Sequence, residues 1–243
     1  MDEQISFKTR VRNTLVSCAP LYYSQFVCRD YLVMSDAFSK NPYYVISAEK
    51  DNYLHLTGVT TALSAEVFFD KCLDGSITEA DFELTTHGQD EKASKGSIRR
   101  KIKSLPMIGN LLTSGSTVEE GFQKNKVFCS LASSDGSCTM GFIAVPKARP
   151  KTLLIGNELD ESKSAPLKIV LYKGRGDSSF SSVKLGSDAD LISAFDSIHE
   201  LLDDALSSRL SAMIKDAEEK RAETSENSQN SEDAVSADES CTE

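Results

Sequence analysis

The segment KVFCSLASSDGSCTMGFIAV (126–145) contains two short apolar runs with Asp135-Gly136 between them. An Asp-Gly pair between apolar runs is a strong local signal of a β-hairpin, because both residues tolerate the positive φ angles of the tight turn. Further runs follow at hairpin-like spacing, and the region therefore has four predicted strands: Lys126–Ala132, Thr139–Val145, Lys151–Ile155 and Leu167–Tyr172. The connections leave no room for crossover helices except at 157–165, so they predict an antiparallel β-meander.

The part of the chain before the meander combines helical patterns with short strands. Apolar positions within residues 1–25 predict a helix that ends or bends at Pro20. Helices are also predicted over 61–73 and Ile98–Leu105, the second after a polar loop over 85–97. Aromatic and β-branched runs predict three strands, the last two as a hairpin: Tyr31–Met34, Tyr43–Ser47 and Tyr53–Thr57. Helices before a meander and a helix after it indicate an α+β fold.

The C-terminal region separates into a helix and an acidic tail. Ser187–Asp190 caps a helix of roughly thirty residues, whose apolar positions recur at helical spacing: Leu191, Phe195, Ile198, Leu202, Leu206, Leu210 and Met213. Residues 218–243 carry nine acidic and two basic side chains, which account for −7 of the net charge of −10. This segment is too polar to bury and is predicted to be disordered. We therefore expect one domain over 1–184, a C-terminal helix over 185–217 and a disordered tail over 218–243.

Composition excludes several classes of protein. No apolar run is long enough to cross a membrane, and the first residues are acidic where a signal peptide needs bases, so a cytoplasmic protein is expected. The six cysteines are scattered, with no Cys-x-x-Cys, and are interpreted as free thiols and small core residues. With three histidines and no zinc-protease, Walker or dinucleotide-binding motif, neither a metal nor a cofactor is predicted.

The stretch YLHLTG (53–58) is the most informative for chemistry. If it is extended, Leu54 and Leu56 point into the core, and the side chains of Tyr53, His55 and Thr57 share the opposite face. A phenol, an imidazole and a hydroxyl in a row suit proton transfer or phosphate recognition near neutral pH. The alternative is a solvated outer face whose histidine is satisfied by its neighbours.

Two further segments concentrate positive charge. Lys92–Lys103 contains six basic residues and no acid, and on a helix its outward side chains are Arg99, Arg100 and Lys103. Such a strip attracts phosphates, although it equally fits a solvated helix face. The loop after the last predicted strand carries Lys173 and Arg175 between glycines, which could cradle a phosphate or form an ordinary loop.

Several stretches together resemble a known family of phage-associated domains, the barnase–EndoU–colicin–RelE-like nucleases of the fourth phage-type group. They cover about residues 40–184: YLHLTGV (53–59), SAEVFFDKCLDGSITEADFEL (64–84), KIKSLPMIGNLL (101–112), MGFIAVPKARPKTLLIGNEL (140–159) and APLKIVLYKGR (165–175). The resemblance implies a compact α+β nuclease fold and metal-independent cleavage of RNA, in which positioned side chains move protons and stabilise charge. It also implies RNA as a partner, and an immunity or antitoxin protein as a further one.

The resemblance also assigns residues to roles. The resemblance assigns His55 the role of general acid or base. It assigns Thr57, with Tyr53 beside it, a contact to phosphate or hydroxyl. It places Lys101 and Lys173 as charge-stabilising catalytic residues, with Arg175 as a further phosphate ligand. In one respect this chain departs from the family, whose members have an Asp-x-Arg shortly after the Thr-Leu-Leu strand. Here Thr152-Leu153-Leu154 continues to Asn157–Asp160 without an arginine, and Arg175 or Arg99 is the candidate substitute.

Three hypotheses follow from these observations. The first is a metal-independent endoribonuclease of the toxin or effector type, from a phage or mobile element. The second is an ADP-ribosyltransferase-like enzyme, because a His-x-Thr strand follows an aromatic strand. The third is a catalytically inactive RNA- or protein-binding module, whose acidic tail occupies the basic strip. The oligomeric state is left open.

Overall fold

The computed structural model describes residues 5–85, 90–124 and 126–236, with side chains described as far as Lys220. The chain divides into two compact units, Met1–Ser187 and Asp188–Glu243. The first unit combines helices with a mixed sheet, which confirms the predicted α+β class. None of the described helices is both long and apolar enough to span a membrane.

The described residues of the first unit form ten strands. They are β1 (Arg29–Ser35), β2 (Tyr44–Ser47), β3 (Thr117–Glu120), β4 (Gln123–Lys124), β5 (Val127–Phe128), β6 (Leu131–Ser134), β7 (Cys138–Ala144), β8 (Ala148–Ile155), β9 (Ser164–Gly174) and β10 (Ser182–Leu185). Eight form one sheet in the order β1-β2-β8-β7-β6-β3-β9-β10, and β4 and β5 form a separate pair. Because β1 also pairs with β9, the pairings from β1 through β2, β8, β7, β6, β3 and β9 return to β1. The sheet therefore curves back on itself.

The predicted meander is confirmed over three strands. β6, β7 and β8 are consecutive antiparallel neighbours, and Gly136 takes a φ of +87° in the turn between β6 and β7. The Asp135 carboxylate accepts hydrogen bonds from the amides of Ser137 and Cys138 and fixes this turn. β9 leaves the meander: instead of pairing with β8 it lies between β1 on one side and β3 and β10 on the other.

Four α-helices accompany the sheet over the ranges of the first unit that the structure describes. They are α1 (Phe7–Tyr22), α2 (Asn52–Thr57), α3 (Ala65–Leu73) and α4 (Glu91–Ser104). α1 runs through Pro20 and continues into a π-helical turn over Tyr23–Val27. Its buried face, with Val11 and Leu15, packs into the core together with Phe68 and Phe69 of α3. α2 and α4 both contact β8, and this contact brings the candidate site together.

The strand predicted over Tyr53–Thr57, and its hairpin with Tyr43–Ser47, are wrong. The segment forms α2, and β2 instead pairs with β1 antiparallel and with β8 parallel at Ile46 and Ala148. Tyr53, Leu56 and Thr57 are buried, at the i, i+3, i+4 spacing of one helix face. Gly58 ends the helix at a φ of +76°, the left-handed conformation that glycine adopts most easily.

The loop predicted over 85–97 is also shorter in the structure. Residues 86–89 lie outside the described residues, and α4 begins at Glu91 with the Asp90 carboxylate as its N-cap. The basic segment therefore lies on this helix from its first turn, with Ile98 fully buried.

The second unit contains α5 (Asp188–Ile198) and α6 (Asp204–Ser236) in place of the single long helix predicted from Ser187. A 3-10 turn over His199–Leu201 separates them, and the Asp203 carboxylate caps the amide of Leu206 at the start of α6. A side chain that caps a new helix competes with continuation of the old one, which explains the break. α6 extends past residue 217. The side chains after Lys220 and the whole of residues 237–243 lie outside the part of the chain that the structure describes. The disorder expected for residues 218–243 therefore stays a prediction.

Candidate active site

The C-terminal end of α2 is fixed by a lysine from α4. The ammonium of Lys101 donates a hydrogen bond of 2.6 Å to the backbone carbonyl oxygen of His55. Its aliphatic chain covers Gly58, where an added Cβ would lie 2.8 Å from Lys101 Cδ. Burial lowers the pKa of Lys101 from 10.5 to about 8. Lys101 thus binds one of the carbonyl groups that a helix leaves without a partner at its end.

His55 is exposed at this helix end. Partial loss of hydration lowers the pKa of its imidazole below the usual 6.5, and the charges of Lys151 and Lys101 lower it further, while Asp51 acts in the opposite direction. The neutral imidazole is therefore favoured near pH 7. A neutral imidazole can accept a proton, so the site offers a general base.

Lys151, the second cation that acts on His55, lies at a β-bulge in β8. Gly141 pairs with Thr152 and Phe142 pairs with Pro150, which leaves Lys151 as the extra residue between them. Its side chain is exposed. A bulge inserts one residue into a strand and changes the direction of its side chain, and bulges recur beside active sites.

A second charged group lies on the neighbouring strands and is centred on Asp30 of β1. This carboxylate is only 2% exposed and accepts hydrogen bonds from Lys147 (2.9 Å) and Arg175 (2.8 Å). Arg175 also donates to the Ser47 hydroxyl at 2.6 Å and to Glu49. Burial alone would raise the pKa of Asp30, but the hydrogen bonds and nearby cations outweigh it, and the pKa is lowered.

Arg149 joins this group to the bulge. Its guanidinium lies 3.7 Å from the Glu49 carboxylate, and it precedes Lys151 by two residues on β8. Arg149 and Lys151 are both exposed. The surface of β8 thus carries two exposed cations, of which Lys151 acts electrostatically on the imidazole of His55.

A family model described as phage-Barnase-EndoU-ColicinE5/D-RelE like nuclease4 matches residues 14–150, more than half of the chain. The chain belongs to this nuclease family. The resemblance seen in the sequence is thereby confirmed, although the match begins before residue 40 and ends before residue 184. No curated protein and no solved structure gave a significant match.

The matched range includes the core of the candidate site in this nuclease domain. His55 and Lys101 lie inside it, with Lys147 and Arg149, whereas Lys151 follows directly after its end. Lys173 and Arg175 also lie beyond it, on β9 and the loop that follows. No cluster of three histidine, cysteine, aspartate or glutamate side chains suited to a metal ion occurs within the part of the chain that the structure describes.

Tyr53 and Thr57, predicted to share an accessible face with His55, do not do so. Both are fully buried. The Tyr53 hydroxyl donates to the Leu15 carbonyl at 2.8 Å, and burial raises its pKa well above the usual value. The Thr57 hydroxyl donates to the Leu54 carbonyl at 2.8 Å, within the same helix. The predicted row of Tyr53, His55 and Thr57 required an extended strand, whereas the segment is helical. The comparison with ADP-ribosyltransferases required the same strand and therefore loses its basis.

The structure places the remaining predicted residues in three different settings. Lys173 donates to the backbone carbonyls of Asp177 and Ser178 and thereby holds its own loop. Arg175 belongs to the Asp30 group. Arg99, Arg100 and Lys103 are exposed on α4, as the helical spacing predicts, with the Arg99 guanidinium 5.2 Å from the centre of the Phe7 ring.

Sequence reasoning missed Lys151, Arg149 and Asp30. Lys151 begins a predicted strand, but the bulge at which it lies depends on pairing with β7. Asp30 follows an arginine and precedes an apolar run, and this pattern predicts only the start of a strand. The sequence signal for a cationic surface was the spacing of Arg149 and Lys151, because residues two apart in a strand lie on the same face.

Proposed function

We propose that this nuclease-family domain is a metal-independent endoribonuclease in which His55 is the general base. The observation that carries the proposal is an exposed imidazole at the end of α2, whose backbone carbonyl binds the Lys101 ammonium and whose pKa is lowered by loss of hydration and by the charges of Lys151 and Lys101. An imidazole that is neutral at pH 7 can take a proton from a ribose 2′-hydroxyl, and adjacent cations attract the phosphate.

The proposed reaction is an internal transesterification. The 2′ oxygen, deprotonated by His55, forms a bond to phosphorus while the bond from phosphorus to the 5′ oxygen breaks. The products are a 2′,3′-cyclic phosphate and a 5′-hydroxyl, whose proton comes from water. Lys151, which is exposed and whose charge acts on the imidazole, stabilises the charge on the phosphate oxygens. Lys101 acts as a positioning residue, because its ammonium is held by the backbone of α2.

The broader biological setting is also a proposal. The family description names phage, barnase, EndoU, colicins E5/D and RelE. We infer from it a toxin or effector role in a phage or mobile element, with a dedicated immunity or antitoxin protein as partner. A nuclease that attacks its own host's RNA requires such a partner to keep the host alive.

An inactive RNA-binding module of the same fold is the second candidate. It is favoured by the burial of Tyr53 and Thr57 and by the acidic partners of Arg175, since these leave His55 without the side chains that the sequence predicted beside it. In this module, Lys151, Arg149 and the exposed side of α4 bind phosphates without cleavage.

Cleavage of mixed cellular RNA by the purified chain, with chelator present, tests the proposal. Wild type and the His199→Ala variant, which removes an exposed histidine of the second unit, are expected to cut. The His55→Ala variant is expected to lose at least about a hundredfold in rate, the usual contribution of a general base. Cutting by His55→Ala at the wild-type rate contradicts the proposal. Salt-sensitive RNA binding without cutting by wild type favours the binding module.

A further inference from the structure

A groove with a volume of about 460 Å³ lies beside β7 in the first unit. Phe128 of β5 and Ile143 of β7 form its apolar side. Lys40, Asn41 and Tyr44 from the start of β2 and the segment before it form its polar side. Such a combination of an apolar wall with a few polar groups is typical of a small-ligand site.

The Phe128 ring is 64% exposed at this groove. Phe128 is one of the two residues of β5. It pairs with Gln123 of β4, which is also exposed. An exposed phenyl ring loses the free energy that burial would give it, and in nucleic-acid-binding proteins such rings serve as stacking surfaces for bases. The groove is therefore open on its aromatic side.

The register of the sheet connects the groove to the candidate active site. Ile143 is the direct strand partner of Arg149, and Arg149 is two residues from Lys151 on β8. Neighbouring strands lie about 5 Å apart, so the groove opens next to these cations. The charge of Lys151 in turn acts on the imidazole of His55.

The charges around the groove suit a phosphate chain. Lys40 lines it, and Arg149 and Lys151 continue beyond it. The Glu120 carboxylate also lies near the groove and is held in place by hydrogen bonds from the Tyr44 hydroxyl and from the Ser39 and Lys40 amides. The Arg149 guanidinium is shared with the Glu49 carboxylate at 3.7 Å. The groove thus presents an aromatic face together with exposed cations, Lys40, Arg149 and Lys151.

We propose that this groove binds an unpaired base of the RNA strand, stacked on Phe128, while the neighbouring phosphates lie along Lys40, Arg149 and Lys151. The inference rests on the proposed function and adds its substrate class, single-stranded RNA. A base within a duplex is stacked between its neighbours and cannot enter, whereas bases of loops and single strands are free to do so.

Binding of fluorescent single-stranded and duplex oligoribonucleotides to the full chain tests this inference. The His55→Ala background prevents cleavage during the measurement. Added to it, Phe128→Ala is expected to weaken single-strand binding about tenfold, the usual loss for one stacked base. Phe128→Tyr, which keeps a ring, is expected to bind normally. The control Val67→Ala trims an exposed side chain on α3 and is expected to change nothing.

The salt dependence separates stacking from phosphate contacts. Phe128→Ala is expected to leave the slope of log affinity against log salt unchanged, whereas Arg149→Met is expected to reduce it, because only the arginine displaces counterions. Equal affinity of Phe128→Ala and its parent, or equal binding of duplex and single strand, overturns the inference and leaves the nuclease proposal in place. Absence of salt-dependent RNA binding in every variant overturns both.

Discussion

The ammonium of Lys101 lies 2.6 Å from the backbone carbonyl oxygen of His55, although the two residues are 46 positions apart in the chain. This bond joins α4 to the end of α2. It satisfies a carbonyl that the short helix cannot satisfy itself, and it holds the backbone that carries the imidazole. The position of the proposed base therefore depends on a side chain from another helix.

The first prediction concerns the charge of Lys151. Its ammonium lowers the pKa of His55, second only to the loss of hydration. Lys151→Met is therefore expected to raise that pKa towards 6.5, and the acid limb of the cleavage rate moves to higher pH with it. Titration of the His55 ring protons by NMR measures the shift without reference to activity.

Lys163→Met is the control for this titration, because Lys163 pairs with Asp160 and is not among the charges that act on His55. An unchanged His55 pKa in Lys151→Met would show that the lysine does not face the imidazole in solution.

The second prediction concerns the pH dependence of stability. The pKa of Lys101 falls from 10.5 in the unfolded chain to about 8 in the folded protein. Between these values the unfolded state binds more protons, so the cost of burying the charge is present below pH 8 and is relieved as the pH rises. One pKa unit corresponds to about 1.4 kcal/mol, and the relief between pH 7 and 9.5 amounts to about 2 kcal/mol.

Urea unfolding of wild type and Lys101→Met at both pH values measures this effect. The difference in unfolding free energy is expected to move in favour of wild type at the higher pH. The comparison cancels the titration of all other groups, because both proteins share them. A difference that stays constant with pH would mean that Lys101 keeps a normal pKa and is well hydrated.

The third prediction uses two glycines with the same backbone conformation. Gly58 and Gly75 have φ angles of +76° and +78°. At Gly75 an added Cβ meets Val16 at 3.9 Å, an ordinary contact, whereas at Gly58 it meets Lys101 Cδ at 2.8 Å. Both alanine variants pay the left-handed strain of about 1 kcal/mol. Only Gly58→Ala must also displace Lys101 from the His55 carbonyl, which costs about 1 kcal/mol more.

Thermal or urea unfolding of the two variants gives this difference directly. Gly58→Ala is also expected to lower cleavage, since the backbone of His55 loses its tie to α4, while Gly75→Ala is expected to cleave normally. Equal stability and equal activity of the two variants would remove Lys101 from its positioning role.

Local signals in the sequence predicted the elements that depend on neighbouring residues. The turn at Asp135-Gly136 needs only the φ angle of a glycine and an aspartate that caps the next amides, and its hairpin is present. The pairing of β9 with β1 joins residues more than 130 positions apart, for example Leu32 with Leu171, and no local pattern encodes it. Long-range pairing is decided by packing in the folded chain.

The site shows the same limit. The five residues YLHLT fit a strand through Leu54 and Leu56 and fit a helix through Tyr53, Leu56 and Thr57, because so short a window cannot separate the two periods. Gly58 was the available signal, since a glycine directly after an apolar run also ends helices. Residue type selected His55 and the family resemblance selected Lys101, but the strand assignment supplied the wrong neighbours, and the bulge at Lys151 required the partner strand.

The last prediction concerns Asp30, whose buried carboxylate holds Lys147 and Arg175 on adjoining strands. Asp30→Asn keeps the shape but removes the charge, which leaves two cations without their shared partner. Because the cations are partly exposed, we expect a loss of about 2 kcal/mol at pH 7, below the value for a fully buried pair.

Since the pKa of Asp30 is lowered in the folded state, its contribution is present above pH 3.8 and is lost as the pH falls through the folded pKa. The stability gap between wild type and Asp30→Asn is therefore expected to close in acid, measured by urea unfolding from pH 7 down to 2. Asp36→Asn, which breaks an exposed pair with Lys168, is the control and should change stability by less than about 0.5 kcal/mol. A gap that persists below the folded pKa would assign the loss to packing rather than to charge.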